Sequence, residues 1–161
     1  MKLGMAIEHV AKAERELADE LQAVGERHST DHDVFHLTRT LAKRERANLH
    51  ALAQHAGRYG ADIGGEGNGS GPGIMATARE KSAELLGRRP EPGLLLLRDL
   101  RELHLLAAGA SVDWVALAQG AQAAKDTELL ETVTACHNET LRTLKWTTYR
   151  LKEVAPQVLT S

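Results

Sequence analysis

Glu14 and Glu45 are the residues whose placement raises a chemical question. Each is a carboxylate set into an apolar helical stripe. On one stretch Ile7, Val10, Leu17, Leu21 and Val24 recur at steps of three and four, and Glu14 fills the gap between them. On the next, Leu41 and Leu52 share a face with Glu45 and Asn48 between them. If the two stripes belong to antiparallel helices joined by a turn near residue 30, Glu14 and Glu45 fall at the same height. Two carboxylates side by side in a core repel each other, and each loses hydration worth several kcal/mol. Such a pair needs a cation between its members, or it must hold a proton.

Three further groups could do chemistry. Glu139 and Arg142 stand three apart on a later helical stretch, near His137, which shares a stripe with Val133, Leu144 and Leu151. His28, His32 and His36 are spaced by four, a step that on one helix face can hold zinc or nickel through imidazole nitrogens. Here the triplet spans a turn. His28 can instead complement the C-terminal dipole of the preceding helix, with Asp31 or Asp33 capping the next. Cys136 adjoins His137, but helical neighbours point about 100° apart, so the pair reads as a buried small hydrophobe beside a core histidine rather than as nucleophile and base. The glycine-rich "GGEGNGSG" follows a helix, not a strand, and lacks the Lys-Ser/Thr ending of a phosphate cradle.

The elements that must position these groups are helices. Ala and Leu dominate the apolar residues, and aromatics make up 3 % of the 161 residues, a composition poor in strand formers. The periodicity predicts helices over residues 6–28, 34–59, 94–124 and 127–154 in a single domain, 1–161. Asp126 or Thr127 caps the last, and Pro156 lies just beyond its end. Trp114 and Trp146 read as core or interface anchors. Between the second and third helices, residues 60–93 form a glycine-rich crossover, expected to be mobile and expendable over 62–72, with a short helix over 74–87 that Pro90 and Pro92 stop. Antiparallel neighbours need connections of only about 2–8 residues. A helix of about 26 residues is about 39 Å long, so the long connection suits a return along the whole bundle. The second and third helices then run parallel. The alternative is a plain up-and-down bundle with an enlarged loop.

That plan, with one Glu per helix at mid-height, resembles the ferritin-like superfamily. Its di-iron and di-manganese members carry a Glu on the first and third helices and a Glu-x-x-His on the second and fourth. The resemblance covers most of the chain outside residues 60–93, through short motifs. In "ERAN", residues 45–48, Asn48 stands at the family's His, and in "ETLR", residues 139–142, Arg142 does. On the third helix the matching level falls in "AAGASV", residues 107–112, with Asp113 the nearest carboxylate. The resemblance implies a metal site of Glu14, Glu45 and Glu139, with Asn48, Arg142 and His137 nearby, for iron or manganese. Three arrangements stay open: wet residues at the seam edge, an internal salt-bridge cluster in which Arg142 supplies the charge of the lost metal, and a working metal site.

The expected function follows the same division. The first reading is a non-enzymatic bundle with a degenerate metal site and no cofactor, acting through its surface or as an assembly. The alternative is an iron- or manganese-binding protein for storage, sensing or oxidation, and a weaker one is small-molecule binding between helices. The run "LLLLRDLRELHLL" carries apolar residues on more faces than one core uses, so a homo-oligomer is expected. A net charge of -2 argues against nucleic acid. No apolar stretch suits a signal peptide or a membrane span, and the single cysteine fits a reducing compartment, so the expected location is cytoplasmic.

Overall fold

The computed structural model describes residues 2–64 and 91–161, and among these every regular element is helical. The expected short helix over 74–87 and most of the crossover, including the stretch expected to be mobile, lie outside the described residues. Four long helices account for the rest: α1 Lys2–Arg27, α2 His32–Ala56, α3 Pro92–Ala123 and α4 Thr127–Leu159. A 3-10 turn, Gly57–Tyr59, extends α2. None of the described helices is long and apolar enough to cross a membrane.

The helix boundaries have local causes. Of the capping candidates, Asp31 and Asp126 are used: their carboxylates accept from Val34 N at 3.1 Å and Leu129 N at 3.0 Å. Helix α1 begins ahead of the expected residue 6 and includes Gly4, where a β-carbon would strike the Tyr59 carbonyl. The glycine lets the end of α2 pack against the start of α1. Helix α3 begins at Pro92, whose fixed φ and missing N–H suit a first turn. Helix α4 runs past its expected end at residue 154 and contains Pro156. The proline there leaves only the carbonyl of Lys152 without its helical donor, and Lys152 is exposed to water.

Helix α1 packs on α2 and α3, and α4 packs on α2 and α3. The interior has two apolar clusters. One is built on Ile7, Val10, Leu52, Trp114, Leu117 and Leu129. The other is built on Leu17, Leu21, Val34, Leu41, Leu100 and Leu103. Between them lies a layer of buried polar groups. Trp114 is fully buried, as expected of an anchor, whereas Trp146 packs at the edge of the second cluster.

Candidate functional site

The polar layer gathers residues from all four helices. Glu14 of α1 and Glu45 of α2 are both fully buried and hydrogen-bonded to each other. The shared height expected from the stripes is therefore present. Each of their four oxygens lies within hydrogen-bonding distance of a polar group of the chain, with Asn48 and Thr140 each shared between the two carboxyls. Glu14 Oε1 accepts from the Trp114 indole at 2.6 Å and from Thr140 at 2.8 Å. Glu14 Oε2 accepts from Asn48 Nδ2 at 3.2 Å. Glu45 Oε1 accepts from Thr143 at 2.6 Å. Glu45 Oε2 lies 3.1 Å from Asn48 Nδ2 and 3.3 Å from the Thr140 hydroxyl. Asn48 also donates to the Cys136 carbonyl at 3.1 Å, which ties α2 to α4.

The electrostatics follow from that enclosure. Burial, then the bond to Glu14 and its charge, push Glu45 up to about 9, while the Thr143 and Thr140 hydroxyls pull the other way. A proton between the carboxyl groups thus removes the like-charge repulsion that the sequence posed. Burial first, then the Glu14, Glu45 and Glu139 charges, push the Cys136 thiol up to about 12, so it is an inert buried thiol. His137 hydrogen-bonds Ser111 at 2.8 Å, and burial lowers its pKa against the opposing charge of Glu14.

Two of the expected site residues lie elsewhere. Glu139 is turned toward α2, where Arg44 comes within 3.5 Å, and Arg142 reaches it at 3.6 Å. Arg142 has a side chain 61 % exposed. Among the described residues no hydrogen bond or ion pair joins either of them to Glu14 or Glu45. Of the three arrangements, neither the salt-bridge cluster nor wet seam-edge glutamates is formed: Arg142 lies at the surface, Glu14 and Glu45 are fully buried, and neutral donors surround them. The cause is register. Residues 139 and 140 point about 100° apart on the helix, and it is Thr140 that faces inward. Asp113 is also outside the layer, 3.6 Å from His9.

The histidine triplet does not converge. His28 is buried and its Nε2 lies 2.8 Å from Asp99, which Arg27 also reaches at 3.1 Å. Burial acts to raise the Asp99 pKa, but the bonds from His28 and Arg27 outweigh it and the carboxyl is held below its ordinary value. His32 and His36 stack with ring centroids 6.5 Å apart, away from this pair. Sequence reasoning missed Asp99, Trp114, Thr140 and Thr143. The threonines had a signal: Cys136, Thr140, Thr143 and Thr147 form one buried stripe at helical spacing. Asp99 had none beyond its place in a leucine-rich run.

The donor set does not fit a resident iron or manganese ion. A cation between Glu14 and Glu45 would meet the N–H groups of Trp114 and Asn48 aimed at the same oxygens, and an indole nitrogen donates only. Among the described residues no group of three or more His, Cys, Asp or Glu is arranged to hold a metal. No family model matches the chain, and no curated protein or solved structure does either.

Proposed function

We propose that the chain is a ferritin-like bundle in which a proton and the protein's own donors occupy the place the superfamily gives to metal, and that it acts without catalysis, through its surface and as an assembly. The fold part is supported by contacts at the helix ends. Leu3 packs at Gly120, Arg27 reaches Asp99, and Tyr59 bonds Asp126 at 2.5 Å. These favour a parallel α2 and α3. The functional part is carried by one observation: the Glu14–Glu45 pair is fully buried among Trp114, Asn48, Thr140 and Thr143, whose N–H and O–H groups are shared between the two carboxyls. A buried pair enclosed in this way points its oxygens at the chain's own donors rather than at a substrate or a metal.

Metal analysis of untagged protein tests this reading, followed by titration with manganese(II) and iron(II) monitored by tryptophan emission. Trp114 touches Glu14 directly, so metal entry would perturb it. The expected result is metal far below one per chain and unchanged emission. One metal per chain that quenches tryptophan, and that is lost in Glu14→Gln, would overturn the proposal in favour of an iron- or manganese-binding protein.

A further inference from the structure

The two hairpins meet along two seams, α1–α3 and α2–α4, and the seams are built differently. The α1–α3 seam is closed by buried contacts: the Trp114 indole on Glu14, and Arg27 and His28 on Asp99. The α2–α4 seam is the more loosely packed of the two. Around the polar layer it is held by a ladder of polar pairs. Arg58 reaches Asp126 at 3.1 Å, His55 Nε2 lies 2.8 Å from Thr132, and Arg44 reaches Glu139 at 3.5 Å. Arg150 reaches Asp31 at 2.7 Å near the far end. The Arg58 and Arg44 side chains are 47 % and 45 % exposed, so water screens both pairs and they add little to closure.

Helix α4 is weakly anchored on its α2 side. Beyond Cys136 its buried side chains are Thr140, Thr143 and Thr147, and no aliphatic or aromatic residue of that half is fully buried. Leu144 and Leu151 follow His137 at steps of seven, and His137 faces α3 through Ser111, so this stripe ties α4 to α3 rather than to α2. Among the described residues, the buried side-chain atoms without a hydrogen-bond partner are Glu139 Oε2, Trp146 Nε1 and Arg150 Nε. Their residues, at steps of seven and four, fall on the stripe of α4 that meets α2. A buried polar group left unpaired favours any arrangement that lets water reach it.

The opposite side of the bundle has room for the matching movement. At the height of Glu14 a groove of about 260 Å³ lies on the outside of the α1–α3 seam, lined by Lys12, Ala13, Glu16, Leu105, Gly109 and Ala110. A β-carbon on Gly109 would meet nothing within 4 Å beyond its own helical turn. Parting α2 from α4 brings the hairpins closer on this outer side, and the groove takes up the motion. The α3–α4 hairpin moves as one piece, joined by the Ser111–His137 bond at 2.8 Å and the His104–Thr147 bond at 2.9 Å. We propose that the bundle opens along the α2–α4 seam at the height of the polar layer, hinged on the α1–α3 side, and that this opening lets water reach the Glu14–Glu45 pair and take or return its proton. The opening deepens the proposed function by naming how the enclosed layer meets solvent, and only the proton exchange rests on that reading. Thiol access and metal content are separate quantities, so either proposal can fail while the other stands.

Cys136 reports the opening. It is the single cysteine of the chain, buried at the seam with its Sγ 3.9 Å from the Asn48 carbonyl. The full chain is reacted with an aromatic disulfide reagent at fixed pH, and the rate, divided by that of the urea-unfolded chain, gives the fraction open. That fraction should exceed the globally unfolded fraction from a urea melt at least about tenfold, and should change little with low urea because the opening exposes little surface. Arg44→Ala should speed labelling about two- to fivefold, the weight of one exposed ion pair. Arg46→Ala, which removes the contact with Asp19 across the α1–α2 seam, should leave it unchanged. Gly109→Leu fills the hinge groove and should slow labelling, whereas Gly109→Ala gains helix propensity, leaves the groove open and should not. Labelling that follows global unfolding at every urea concentration, equal effects of Arg44→Ala and Arg46→Ala, or equal rates for the two Gly109 variants would overturn the proposal.

Discussion

Glu45→Gln separates a proton-holding layer from an ordinary buried carboxylate. In the folded chain Glu45 keeps its proton to about 9, whereas its ordinary value is 4.5. Between those limits the native state binds one proton more than the unfolded state. Stability contributed by this group is fully present below the unfolded pKa and is lost as pH rises through the folded one, at about 1.4 kcal/mol per pH unit. The cleanest window is about pH 7 to 8.5. Asp99, held low by His28 and Arg27 despite burial, titrates well below it, and His137, whose pKa burial lowers from 6.5, titrates mainly below it. Cys136, raised from 9.0 to about 12, adds only a small loss of the same sign at the upper edge of the window. Tyr59 lies above it, raised from 10.0 chiefly by its bond to Asp126. Across the window the parent should lose about 2 kcal/mol of unfolding free energy. The side-chain amide that Glu45→Gln introduces can donate to Glu14 as the protonated carboxyl does, and it does not titrate. The variant should therefore be flat with pH and at least as stable as the parent at the alkaline end. Urea unfolding at several pH values, with unchanged m, measures both slopes. A flat parent, or a glutamine variant that keeps the parent's slope, would refute a proton held at Glu45.

Three smaller predictions share that assay. Arg142→Leu should change stability by less than about 0.5 kcal/mol, since its pair with Glu139 is solvent-exposed and screened. Asp99→Asn should cost about 3 kcal/mol by leaving the His28 and Arg27 donors with a neutral partner; because the Asp99 pKa is depressed, the parent's advantage should disappear as pH falls through the folded value. Trp114→Phe should cost about 1–3 kcal/mol through the lost N–H bond to buried Glu14, and should be less than additive with Glu14→Gln because the two share one contact.

What the sequence revealed and what it hid have the same physical origin. Glu14, Glu45 and Asn48 were legible because each breaks an apolar stripe, and a charged or amide side chain on a core face stands out against Ile, Val and Leu. Their partners on α4 were not, because threonine is nearly apolar in shape and small enough to sit anywhere on a helix. A carboxylate-based motif therefore selected Glu139 and Arg142, while the inward-facing residue was Thr140, one position along. Helix α3 hid its facing for a different reason. It is apolar on both sides, with Leu103, Ala107 and Trp114 buried and Leu105, Val112 and Val115 exposed, so no stripe separated the donor Trp114 from its surface. The excess apolar residues that blurred α3 lie on its outer side, and the hydroxyls that blurred α4 point at the two buried glutamates.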